Sequence, residues 1–85
     1  MTKDYHVVIL VSKDCNACKT IEEQLKDKIA KGEVDVLDVE TELGQQLAEK
    51  LDVKAFPTFL YIEKTKEGLL VCNPESNKCV EMTKK

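Results

Sequence analysis

Asp14-Cys15-Asn16-Ala17-Cys18-Lys19 decides the reading of this chain. It is a C-x-x-C pair, set where an apolar run stops and a helical pattern starts. The run before it, His6-Val7-Val8-Ile9-Leu10-Val11, has no polar alternation, which suits a central strand covered on both faces. Ser12, Lys13 and Asp14 are polar and turn-like. Beyond them Cys18, Ile21, Leu25 and Ile29 recur at i, i+3, i+7 and i+11. That period predicts a helix from about Cys15 to Lys31, with Gly32 as its C′ residue. Cys15 therefore falls at or near a helix N-terminus, where unpaired N–H groups and the helix dipole favour an anion. A thiolate is an anion, and it is the form that attacks a disulfide. Cys18 follows on the same helix face, within reach of Cys15. One cysteine that attacks and one that resolves is what dithiol–disulfide exchange needs. The expectation is an exposed, nucleophilic Cys15 with a pKa lowered into the range of about 3.5–7.5, and a more buried, resolving Cys18. Lys13, Asp14 and Lys19 flank the pair as candidates for tuning that pKa, or as exposed, weakly coupled charges.

The 85 residues suit one small domain over 1–85, with 1–5 and 83–85 expected to fray. A net charge of −3 argues against nucleic acid as a partner. All 13 basic residues are lysine, so bidentate arginine recognition of phosphate or carboxylate is excluded. Apolar residues make up 42% of the chain and are patterned, which argues against disorder. The apolar run Val7–Val11 is too short for a signal-peptide core or a membrane span. The expected setting is cytoplasmic, with no membrane partner, and the expected state is a monomer. There, 4 cysteines point to redox chemistry or metal before a disulfide scaffold.

Val34, Val36 and Leu37 to Val39 read as a second strand. Thr41 is a candidate N-cap for a second helix whose buried face is Leu43, Leu47, Ala48 and Leu51. Gly44 inside it costs roughly 1 kcal/mol against alanine. Ala55-Phe56-Pro57-Thr58 breaks the pattern before a third strand, Phe59 to Ile62. A polar turn, Lys64 to Gly68, joins it to a fourth, Leu69 to Cys72. Asn73 to Asn77 is loop, and Cys79 to Met82 is a candidate short fifth strand. The expected order is β-α-β-α-β-β. It gives an α/β fold with a mixed four-stranded sheet, helix cover and a right-handed first crossover.

A strand, a C-x-x-C opening a helix, a β-α unit, and then Val53-Lys54-Ala55-Phe56-Pro57-Thr58-Phe59 opening a hairpin resembles the thioredoxin family, glutaredoxins included. The resemblance spans about His6 to Cys72 and implies a thioredoxin-like fold, with the family's final helix not evident here. It implies a thiol–disulfide oxidoreductase of the protein disulfide reductase type, with Cys15 and Cys18 catalytic. By the same resemblance Pro57 is cis, faces the C-x-x-C and keeps metal from it. Phe56, Pro57 and Thr58 then form the substrate groove. No bound cofactor is implied; the implied partners are disulfide-containing client proteins and a thiol reductant or reductase. Asn16-Ala17 is not a dipeptide typical of the family, and Ile9 stands where thioredoxins carry a buried carboxylate.

Other readings stay open at this level. The first is a zinc-holding adaptor in which Cys72 and Cys79 join Cys15 and Cys18 as four thiolates. The second is a redox-sensing adaptor without turnover. Zinc ribbons hold their pairs in short knuckles, not at a strand-to-helix turn, which favours redox chemistry. Cys72 and Cys79 are candidates for a second disulfide, the alternative being two unpaired thiols. The antiparallel fourth strand is expected to return Cys72 to the C-x-x-C end of the sheet. His6 reads as a strand-start residue, Tyr5 and Tyr61 as core-edge residues, and Glu22 with Lys26 as a pair on the wet face.

Overall fold

A computed structural model describes residues 5–66 and 68–83. In chain order the elements are β1 (Tyr5–Val11), α1 (Asn16–Gln24), α2 (Lys26–Ala30), β2 (Val34–Asp38), α3 (Glu42–Lys50), β3 (Thr58–Lys64), β4 (Gly68–Asn73) and β5 (Lys78–Thr83). The strands form one mixed sheet in the order β2-β1-β3-β4-β5. β1 and β2 are parallel, and the β1–β3, β3–β4 and β4–β5 pairs are antiparallel. The α/β fold is the expected one, but the sheet has a fifth strand instead of ending at four. The Cys79–Met82 segment supplies it, because the residues 74–77 turn the chain straight back. Asn77 takes the left-handed conformation there, with φ 61°, which asparagine tolerates better than most residues. Tyr5 and Thr83, expected to fray, are paired in β1 and β5. The other residues of that expectation, 1–4 and 84–85, lie outside the described residues.

β1 runs between β2 and β3, and Val8, Ile9, Leu10 and Val11 are all buried. Alternation along the strands splits the core into two layers. On one face Leu10, Leu60 and Val71 pack with Leu47 and Leu51 at α3. On the other, Ile9, Val11 and Val34 pack with Cys18, and Ile21, Leu25 and Ile29 close over them. The expected single helix is broken at Leu25, whose φ −105° and ψ 16° leave the helical region. The apolar stripe continues through the break, so both pieces still press on the same cluster. The wet face carries a Lys26–Glu23 pair at 3.9 Å in place of the expected Glu22–Lys26 contact.

Gly32 ends α2 as read from the sequence. Its φ is 79°, its N–H reaches the Ile29 carbonyl, and the Glu33 N–H reaches that of Lys28 at 2.9 Å. Thr41 caps α3, its hydroxyl accepting the Gly44 N–H at 3.0 Å. Leu43, expected on the buried face of α3, is exposed instead, and Gly44 is buried. A Cβ on Gly44 would collide with the Asp38 carbonyl oxygen and lie 2.9 Å from the Val39 Cα. The glycine is what lets α3 lie directly on the end of β2.

Candidate active site

β1 carries the chain to the end of the sheet and releases it at Val11. Lys13 and Asp14 are exposed in the turn that follows. Cys15 is extended, with φ −126° and ψ 105°, and is the N-cap of α1. Its Sγ accepts the backbone N–H of Cys18 at 3.0 Å, and its carbonyl accepts the N–H of Lys19. The sulfur thus takes the place that a serine or aspartate oxygen holds in an ordinary cap. A thiolate at this position is stabilised by that N–H and by the positive end of the helix.

Cys15 is half-buried, whereas Cys18 is 1% exposed and packed among Ile9, Val11 and Val34. The two are joined as a disulfide with their Cα atoms 5.2 Å apart. Of the flanking charges, Lys13, Asp14 and Lys19 are all exposed. None of them forms a salt bridge with either cysteine region among the described residues.

The second half of the site comes from the start of β3. Thr58 pairs with Leu10, so Pro57 stands opposite Val11, at the end of the sheet from which the C-x-x-C turn departs. The Phe56–Pro57 bond is cis. Phe56 and Pro57 are half-buried, and Phe56 packs against the clusters on both sheet faces. Thr58 is 1% exposed and donates its hydroxyl to the Ala55 carbonyl. Its side chain faces inward and holds the turn, so the open surface here comes from Phe56 and Pro57.

Cys72 and Cys79 stand directly opposite each other on β4 and β5, Cα atoms 4.1 Å apart, and are joined as a disulfide. Contrary to expectation, β4 does not return Cys72 to the C-x-x-C end. Cys72 pairs with Tyr61, at the middle of β3, which in turn pairs with Val7 of β1. Strand rise and spacing put Cys72 roughly 15 Å from the end of β1. The four sulfurs therefore do not converge, and the tetrathiolate zinc arrangement is not formed. Among the described residues, no group of three or more His, Cys, Asp or Glu is set to hold a metal.

Two residues that the sequence showed only as loop have a definite task. Asn73 is 2% exposed and donates its side-chain amide to the Leu51 carbonyl at 3.1 Å. The Ser76 hydroxyl reaches the same carbonyl at 2.7 Å. The β4–β5 turn is thereby fastened to the end of α3, five residues before Phe56. The only sequence signal was an asparagine before a proline, which marks a turn but not its partner. Among the described residues, no helix is long and apolar enough to cross a membrane.

Three comparisons bear on this geometry. The family model described as Thioredoxin matches residues 1–83. The solution structure of a thioredoxin from Thermus thermophilus is similar, with a TM-score of 0.56 at 21% identity. That match covers 76% of this chain and 55% of the other, so this chain spans about half the length of that thioredoxin. At that identity the likeness speaks for the fold. No curated protein sequence matches this chain.

Proposed function

The chain belongs to the thioredoxin family, and we propose that it is a thiol–disulfide oxidoreductase that reduces disulfides in client proteins. The observation that carries this reading is the asymmetry of the C-x-x-C pair. Cys15 caps the helix within reach of solvent, while Cys18 is buried behind it. In the dithiol form, the Cys15 thiolate attacks one sulfur of a client disulfide. The client's other sulfur leaves as a thiolate and takes up a proton. Cys18 loses its proton and attacks Cys15 Sγ, which expels the second client thiolate. Two electrons have moved to the client, and the protein is left with the Cys15–Cys18 disulfide. A thiol reductant or reductase then restores the dithiol.

Phe56 and Pro57 supply the wall along which the client chain lies, beside the cap of α1. The test is reduction of a disulfide-bonded protein with dithiothreitol as electron source. The wild-type chain accelerates the reduction. Cys15→Ser abolishes the effect, and Cys18→Ser accumulates a mixed disulfide through Cys15. Full activity in Cys15→Ser would refute the reading.

A further inference from the structure

α1 and α2 cover the β1 and β2 side of one sheet face through Ile9, Val11 and Val34. Tyr61, Cys72 and Cys79 share that face further along, since paired residues on neighbouring strands point the same way. Among the described residues, no helix lies over this part. The result is a cavity of about 410 Å³ lined by Tyr61, Leu70, Cys72, Asn73, Pro74 and Cys79, among others. Cys79 is exposed on the edge strand β5, and Cys72 is half-buried one strand in.

We propose that Cys72–Cys79 is a second thiol–disulfide exchange site, attacked at Cys79 by an incoming thiolate that enters this cavity. Cys79, on the edge strand, is the more exposed of the two residues, and access governs which sulfur is attacked. The thiolate bonds to Cys79 Sγ, and the Cys72–Cys79 bond breaks. Cys72 leaves as a thiolate and is protonated. A second thiol of the same class then attacks the mixed disulfide and releases Cys79 as a thiol. Two thiols are oxidised to one disulfide, and the protein gains two electrons and two protons at this pair. The C-x-x-C of the same molecule is too far away to be the donor, by the strand geometry above. The thiol comes from outside, from a small thiol or from the dithiol of another protein.

Opening the pair also reaches the first site. The bridge closes the turn whose Asn73 and Ser76 hold the Leu51 carbonyl, and Leu51 leads into the segment that ends at Pro57. Reduction loosens this clasp, so the Glu75 and Asn77 amides, held by Asn73, exchange faster with solvent.

The experiment treats the full chain at neutral pH with either reduced glutathione or a pre-reduced protein dithiol, the Cys72→Ser/Cys79→Ser chain, whose only thiols are Cys15 and Cys18. Alkylation and peptide mapping then follow each cysteine pair separately, with circular dichroism as the check on folding. The series is repeated on Cys15→Ser/Cys18→Ser, in which the first site is absent, so its failure and that of the second are distinguishable. The expected result is alkylation at both Cys72 and Cys79 while the chain stays folded. The mixed disulfide is trapped at Cys79, and amide exchange at Glu75 and Asn77 rises. The arm that reacts identifies the source of the thiol. A pair that stays closed in both arms until the protein is unfolded overturns the proposal. So does a mixed disulfide trapped mainly at Cys72.

Discussion

At the scale of residues, Cys15 and Cys18 differ in surroundings more than in chemistry. The Cys15 sulfur stands at the cap of α1 with the Cys18 N–H directed at it, and Cys18 is packed inside. Fixed donors and the helix dipole favour the thiolate at Cys15, and burial without a partner charge disfavours it at Cys18. In the reduced protein Cys15 is therefore expected to alkylate first, with a midpoint below the roughly 8.5 of an ordinary cysteine. Labelling across pH with mass mapping checks this, and preferential labelling of Cys18 reverses the assignment. Gly44 makes a second residue-scale case. In an isolated helix Gly44→Ala gains about 1 kcal/mol. Here the added methyl meets backbone atoms at Asp38 and Val39 that cannot swing aside. The expected outcome is a loss of about 1–3 kcal/mol, read by urea unfolding.

At the scale of elements, both long helical segments end in the same way, but with different residues. After α2 the left-handed position holds Gly32, and after α3 it holds Asp52 with φ 56°. The bonds from Val53 N–H to Ala48 and from Asp52 N–H to Glu49 complete the second motif. A side chain in that conformation costs on the order of 1 kcal/mol. Asp52→Gly is therefore expected to raise stability by several tenths to about 1 kcal/mol, less whatever the exposed Lys54 pair contributes. A lower urea midpoint would contradict this. Just beyond, the Leu51 carbonyl accepts from Asn73 and Ser76. Asn73→Ala removes the buried bond and the one to the Glu75 N–H, and the expected loss is about 1–3 kcal/mol. Ser76→Ala is milder, because Asn73 still serves the carbonyl.

At the scale of the molecule, the domain is small and its sheet ends in an edge strand, β5, beyond the four strands expected. The Cys72–Cys79 bridge ties that strand to the sheet across a short turn. Loop-closure entropy for so short a loop amounts to about 2–3 kcal/mol. Cys72→Ser is expected to lower the melting temperature accordingly; an unchanged melting temperature would mean that the bridge does not stabilise the fold. Local rules are legible along the chain itself. Apolar runs, the Thr41 and Gly32 caps and the C-x-x-C at a strand-to-helix turn act over a few residues, so spacing alone reveals them. The sequence by itself therefore determined the succession of strands and helical segments as far as β4, the placement of Cys15 at a helix cap and the identity of β1 as an interior strand covered on both faces. The break at Leu25, the reason for Gly44, the inward turn of Thr58, the clasp on Leu51 and the mid-sheet position of Cys72 were decided only by the tertiary structure. Each depends on which distant backbone lies opposite a given residue, and that is fixed by strand register and helix docking, not by the residue's neighbours in the chain.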